Sequence, residues 1–254
     1  MADPRRSVVS NSILEDEIMY QNYIFDLYGT LIDINTNEHK ASLWEKMVYF
    51  YGYHGARYTA KELKHEYLTL CLLEEEKLGQ IDSEIEITEV FRQLFVKKGV
   101  EADTNLAVQA GELFRIQSTK YLRLYDGVIE LLEGLKSSGK SLYVLSNAQR
   151  IFTAPELKML GIDQYFDGIF ISSDLGYKKP SSKFYEALIK KYQLDKDKSI
   201  MIGNDPIADI KGAYEVGLPS LYIHSNLSPE IQETLYSNYS IMNGDVYQIK
   251  NLIC

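Results

Sequence analysis

Five short apolar runs, rich in β-branched and aromatic residues, constrain this chain most: YIF before Asp26, SLYVL before Ser146, GIFI at 168–171, SIMI before Gly203, and PSLYI at 219–223. Runs of this length and composition are the mark of strands buried on both faces. Between the later ones lie helical patterns, GVIELLEGLKSSG, PELKMLG, SSKFYEALIKKY and PIADIKGAYEVG, most of them stopped by a glycine. Strand, helix, strand in repetition means βαβ units, hence an α/β fold with a parallel sheet and helices on both faces. In such sheets ligands bind at the carboxyl ends of the strands.

The spacing of those strand ends divides the chain. Asp26 to Ser146 is 120 residues, Ser146 to Lys179 is 33 and Lys179 to Asp205 is 26. A βαβ unit takes roughly 30 residues, so the first interval holds an insertion. Its helical segments are LWEKMVYFYGY, AKELKHEYLTLCLLEEEKLG, SEIEITEVFRQLFVKKG and NLAVQAGELFRIQSTKYLRLY. Apolar positions recur there at three- and four-residue steps, as at Leu63, Tyr67, Leu70 and Leu73. The expected organisation is a core of residues 19–34 and 125–254, a helical cap of residues 35–124, and a leader of residues 1–18 that is disordered or non-native, with Met19 as the natural start.

Asp26, Thr30, Ser146, Asn147, Lys179, Asp205 and Asp209 follow different strands and so are expected in one pocket. A carboxylate such as Asp26 can be a covalent nucleophile. To attack a dianionic phosphate it needs neutralising charge, which Mg²⁺ on hard oxygen ligands supplies. Asp205 is the expected second ligand. Lys179 adds positive charge, while Ser146, Thr30 and nearby N–H groups are suited to the phosphate oxygens. Gly29 lets the backbone approach the ligand.

The ordered set YIFDLYGTL, VLSN, the lysine of KKP, and GNDPIAD resembles the haloacid dehalogenase-like hydrolase superfamily over essentially all of residues 20–225. The resemblance implies a Rossmann-like three-layer core and an inserted α-helical bundle cap that closes over the substrate. It further implies Asp26 as nucleophile, Ser146 as a phosphate-binding hydroxyl and Lys179 as the stabilising lysine. The magnesium ligands would be Asp205, the Asp26 side chain and the Tyr28 carbonyl, with Asp209 orienting Lys179 or a metal-bound water.

Tyr28 departs from that pattern, because phosphatases of the superfamily usually carry a second aspartate there as general acid and base. A free tyrosine titrates at about 10, so Tyr28 is a possible proton donor and a poor base. Asp-x-Tyr-Gly-Thr is instead typical of the metal-independent 2-haloacid dehalogenases, whereas the acids at 205 and 209 are of the phosphatase type. Three carboxylates beside one lysine would leave a negative cluster unless a cation binds. The expectation is therefore a Mg²⁺-dependent hydrolase of a small phosphorylated metabolite working through an aspartyl-phosphate. A dehalogenase is the alternative, and a weakened member acting as a binding protein is a further one.

Specificity is expected in the insertion, whose segment MVYFYGYHGARYT at 47–59 offers two readings. Either it is a mobile loop presenting Arg57 to a second anionic group of the substrate, or its aromatics pack in the insertion's own core. Trp44 reads as core, and His39, His54, His65 and His224 have no metal-ligand spacing. With 36 acidic against 27 basic residues the net charge of −9 disfavours nucleic acid and anionic membranes. The two cysteines, Cys71 and Cys254, exclude a disulfide framework. No apolar run reaches the ~20 residues of a membrane span, so the expected setting is cytoplasmic, as a monomer or homodimer.

Overall fold

The computed structural model describes residues 20–79 and 82–253; the leader expected at 1–18, Met19 and Cys254 lie outside them. Chain order begins with β1 (Asn22–Phe25) and β2 (Ile32–Thr36), then α1 (Ala41–Tyr53), α2 (Ala60–Leu78), α3 (Ile87–Val96) and α4 (Thr104–Ser118). It continues with β3 (Thr119–Leu124), α5 (Val128–Ser137), β4 (Ser141–Ser146), α6 (Arg150–Leu160), β5 (Gly168–Ile171), α7 (Ser172–Leu175) and α8 (Ser182–Tyr192). Last come β6 (Ser199–Gly203), a π-helical turn (Pro206–Lys211), α9 (Gly212–Glu215), β7 (Ser220–Ile223), β8 (Tyr239–Ile241) and α10 (Tyr247–Ile253).

Six strands form one parallel sheet in the order β5-β4-β1-β6-β7-β8. Strand pleating sends alternate side chains to opposite faces. Tyr23, Phe25, Leu142 and Val144 pack with Leu131 and Leu135 of α5, Leu157 of α6 and Ile249 of α10. Ile24, Tyr143 and Leu145 pack with Phe184 and Leu188 of α8 and Ala213 of α9. These are the three layers of an α/β core, as the apolar runs predict. The reversal of strand order between β4 and β6 puts the carboxyl end of β1 at the sheet's central crevice.

Helices α1 to α4 have their own apolar centre, including Leu43, Trp44, Tyr51, Tyr67, Phe91 and Phe114, to which α6 contributes Phe152. Trp44 is core, its ring 5.3 Å from that of Tyr67 and 5.6 Å from that of Phe114. A capping box starts α2, with Thr59 and Glu62 satisfying each other's backbone N–H, and left-handed Gly79 follows its end.

Two stretches differ from the helical expectation. The TKYLRL segment leaves α4 at Ser118 and forms β3, antiparallel to β2 from Ile32↔Leu124 to Thr36↔Thr119. Both connections to the helical bundle thus run through one ribbon. Asp33 is 3% exposed in this ribbon and receives two bonds from the Arg123 guanidinium, at 2.9 and 2.7 Å. The second difference is that α3 starts only at Ile87, because residues 83–86 run along the core: Ser83 pairs with Tyr177 and the Glu84 N–H donates to the Gly176 carbonyl. No helix among the described residues is long and apolar enough to cross a membrane.

Candidate active site

A cavity of about 160 Å³ opens at the carboxyl ends of β1, β4 and β6, lined by Asp26, Tyr28, Ser146, Asn147, Lys179 and Asp205, among others. Lys179 is its electrostatic centre and is 2% exposed. Its ammonium donates to Asp26 Oδ1 at 2.6 Å, to Asp209 Oδ1 at 2.7 Å and to the Leu145 carbonyl at 2.6 Å. All three of its donors are thereby used. Burial opposes the Lys179 charge, but the two carboxylates outweigh it and hold the group above the ordinary lysine range.

Asp205 and Asp209 are arranged by one turn. Asp205 caps the π-helical turn, its Oδ1 accepting from the N–H groups of Ile207 and Ala208 at 2.8 Å each, with Pro206 first in the turn. Asp209 Oδ2 in turn accepts from the Asp205 N–H at 2.9 Å. Burial pushes the Asp209 carboxyl up to about 7; Lys179 pulls it down and the Asp26 charge adds to the push. Gly203, ending β6, makes room for this arrangement, since a Cβ there would lie 2.3 Å from Asp209 Cγ.

The remaining expected residues divide between the cavity and its supports. Ser146 lines the cavity, and its Oγ is buried with no partner among the described residues. Asn147, expected to bind substrate, spends both ends of its amide on the Lys179 backbone: Nδ2 donates to the carbonyl at 2.9 Å and Oδ1 accepts from the N–H at 2.7 Å. Thr30 stands 1% exposed beneath the site, its hydroxyl 3.2 Å from Asn204 Oδ1 and 3.4 Å from Asp26 Oδ2. It is outside the cavity lining. Arg57 is not brought to the cavity either: it is exposed on the loop after α1, while Tyr51 and Tyr58 beside it are buried in the bundle. The packing reading of that aromatic segment is the one its burial matches.

Tyr28 lines the cavity, yet its hydroxyl is committed elsewhere. It donates to Glu156 Oε2 at 2.5 Å and lies 3.0 Å from Thr153 Oγ1, both on α6. Glu156 Oε1 receives Arg115 Nε of α4 at 2.6 Å, so a polar chain joins the loop after β1 to the helical bundle. Burial first, then the Glu156 charge, hold the Tyr28 phenol well above the ordinary tyrosine range.

Sequence reasoning missed Asn204, Leu227, Pro229, Glu156 and Arg115. Asn204 was within sight inside GNDPIAD; a Cβ on Gly29, which has φ +90°, would meet its side chain at 2.3 Å. The other four carry no local signal. Among the described residues no three His, Cys, Asp or Glu side chains form a metal cage. Mg²⁺, however, is commonly held by one or two carboxylates with carbonyl, water and phosphate oxygens. Asp26 and Asp205 fit that donor set, the Asp205 Oδ2 being left over from the bonds above.

Comparison with known proteins follows the same line. Residues 20–217 match the haloacid dehalogenase-like hydrolase family. A glyceraldehyde 3-phosphate phosphatase of Methanothermobacter thermautotrophicus is 28% identical over 134 residues, covering 52% of this chain and 59% of that protein's length. The pyrimidine 5'-nucleotidase PynA of Streptococcus pneumoniae is 27% identical over 81% of this chain and 84% of its own. The chain thus spans under two thirds of the first relative. Among solved structures, the HAD-hydrolase YfnB of Bacillus subtilis, described as bound to magnesium, covers 92% of this chain and 99% of its own, with 21% identity and a TM-score of 0.56. A 2-haloacid dehalogenase of Pseudomonas syringae pv. Tomato covers 92% and 97%, with 18% identity and a TM-score of 0.62. At these identities the structures speak for the fold. With its parallel core, its ordered motifs and a match across most of its length, the chain belongs to the haloacid dehalogenase-like hydrolases.

Proposed function

We propose that this hydrolase is a magnesium-dependent phosphatase of small phosphorylated metabolites, acting through an aspartyl-phosphate on Asp26. The observation that carries this reading is the charge balance of the cavity. Asp26, Asp205 and Asp209 surround a single ammonium, that of Lys179, which bonds to two of them. Such a cluster is costly in a partly buried cleft unless another cation joins it. Asp26, Asp205 and the Tyr28 carbonyl would hold that cation. Bound there, Mg²⁺ would neutralise phosphate charge.

The chain's own residues do the rest. Lys179 fixes Asp26 Oδ1, leaving Oδ2 as the attacking oxygen. The unpartnered Ser146 hydroxyl is available to a phosphate oxygen, and Asp209 and Asn147 hold Lys179 in place. The helical insertion, residues 35–124 in our division of the chain, acts as the cap that excludes water. The names of the relatives, a triose-phosphate phosphatase and a nucleotidase, support small phosphorylated substrates.

A 2-haloacid dehalogenase remains the second reading, favoured by Tyr28 in the first motif. The two are separated by assaying phosphate release from sugar phosphates, nucleotides and p-nitrophenyl phosphate with Mg²⁺ and with EDTA, beside chloride release from 2-chloropropionate. Phosphate release that EDTA and Asp26→Asn each abolish is expected. Chelator-insensitive chloride release without phosphate would overturn the proposal.

A further inference from the structure

The strand-end cavity takes no wall from the helical bundle: of the described residues that line it, none belongs to α1 to α4. Part of its apolar lining comes instead from the core's own loop after β7, through Leu227 and Pro229. That loop is tied down on both sides of Leu227. The Asn226 amide donates to Asp33 Oδ1 of β2 at 3.0 Å and accepts from the Tyr125 hydroxyl at 2.6 Å. Ser228 closes a turn with Ser225, its Oγ accepting from the Ser225 N–H at 2.9 Å while its own N–H donates to the Ser225 carbonyl at 3.1 Å. The same Oγ lies 3.4 Å from Asn204 Nδ2. The neighbours of Leu227 are thus spent on the ribbon and on the turn, and the leucine between them is given to the cavity. It belongs to none of the three apolar centres and is 37% exposed. An exposed leucine is ordinary by itself. One held through both neighbours at the edge of a cavity lined mostly by polar groups is placed to meet the part of a substrate that does not react.

From this geometry we infer that Leu227 is a specificity-determining residue: it limits the size of the substrate, and the class that fits beside it is short-chain phosphate esters of triose size, not nucleoside monophosphates. The inference rests on the phosphatase reading above and narrows its substrate class. The cavity holds about 160 Å³, against roughly 300–1,000 Å³ for pockets that enclose drug-sized ligands. Once a phosphate occupies the space around Asp26, Ser146 and Lys179, what is left suits a short polar chain. A base and its ribose would run into the Leu227 and Pro229 wall. Because Asn226 and Ser228 fix the backbone on either side, the leucine has little freedom to withdraw. The size filter thereby sits on the core, on a loop that also touches the ribbon through Asp33, and not in the insertion where the sequence leads one to expect it.

The test compares kcat/KM, with Mg²⁺, for glyceraldehyde 3-phosphate and uridine 5'-monophosphate in the wild type and in two variants of opposite size. A misfit of one methylene in an apolar pocket discriminates by roughly 10–200-fold, and a wild-type preference for the triose phosphate within or above that range is expected. Leu227→Ala should narrow the ratio at least about fivefold by lowering KM for the nucleotide, with kcat for the triose phosphate kept within about twofold. Leu227→Phe should move the ratio the other way. A side chain that merely held the loop in place would not shift the ratio in opposite directions. Melting temperatures confirm that each variant is folded, and the wild-type ratio stands without them. Equal or better use of the nucleotide by the wild type, with phosphate release dependent on Asp26, would overturn this inference and leave the phosphatase reading intact. A ratio unmoved by both substitutions, or kcat falling alike for both substrates, would overturn the role of Leu227 in the same way. No phosphate from either substrate or from p-nitrophenyl phosphate, with chloride from 2-chloropropionate, removes both.

Discussion

Gly203 shows how far the site depends on single atoms. The Asp209 side chain lies against its Cα, where a Cβ would sit 2.3 Å from the carboxylate carbon. Gly203→Ala should therefore push Asp209 off Lys179, costing about 1–3 kcal/mol of stability from overpacking and lowering kcat at least tenfold. Urea unfolding and steady-state kinetics would measure the two effects separately. Asp26, Lys179, Asp205 and Asp209 were legible at this scale because each follows an apolar run, and strand ends converge whatever the side chains do. The partners of their neighbours were not. Tyr28 finds Glu156, 128 positions later, and Asn147 finds the Lys179 backbone; hydrogen bonds between remote residues leave no periodic trace. Arg57 looked functional because a cation among aromatics suits a ligand as well as a surface, and only burial separates the two.

Among the elements, the β2–β3 ribbon was hidden from sequence for a related reason. TKYLRL continues a helical pattern at its start, and its β-branched and aromatic alternation becomes a strand only when paired with residues nearly 90 positions earlier. Asp33 ties this ribbon together. Burial would raise its carboxyl, but bonds from Asn226, Arg123 and Tyr121 prevail and hold it below the ordinary range. A depressed carboxyl supplies stability above its unfolded value of about 4, lost as pH falls through the folded value. Wild-type protein should therefore lose melting temperature between about pH 5 and pH 3 more steeply than Asp33→Asn, which should already melt lower at pH 7. Differential scanning calorimetry across that range checks both slopes.

For the molecule as a whole, the alternation of strands and helices disclosed the parallel core, but not how that core and the bundle of α1 to α4 are fastened. Besides the ribbon and the packing of Phe152, two groups of polar contacts join them. Arg115 of α4 meets Glu156 of α6, with side chains only 17% and 8% exposed. On the far side, Gln149 caps α3 through the Ile87 N–H at 3.0 Å and donates to the Ile85 carbonyl, while Ser172 donates to Glu84 at 2.8 Å. Cutting both ties, by Arg115→Ala with Gln149→Ala, should loosen the insertion without unfolding the core. Faster proteolysis in residues 82–87 and a KM raised about tenfold are expected, each single variant showing a fraction of the effect, since distant sites add.

The ribbon has a consequence for ancestry and engineering as well. Because Thr36 and Thr119 are neighbours in the pairing, the chain leaves the core and returns to it at almost the same point. A two-residue turn could close that gap without shifting the register of any sheet strand. The helical bundle is in this respect an exchangeable module, free to be lengthened, swapped or lost over generations while the carboxyl edge of the sheet stays the same.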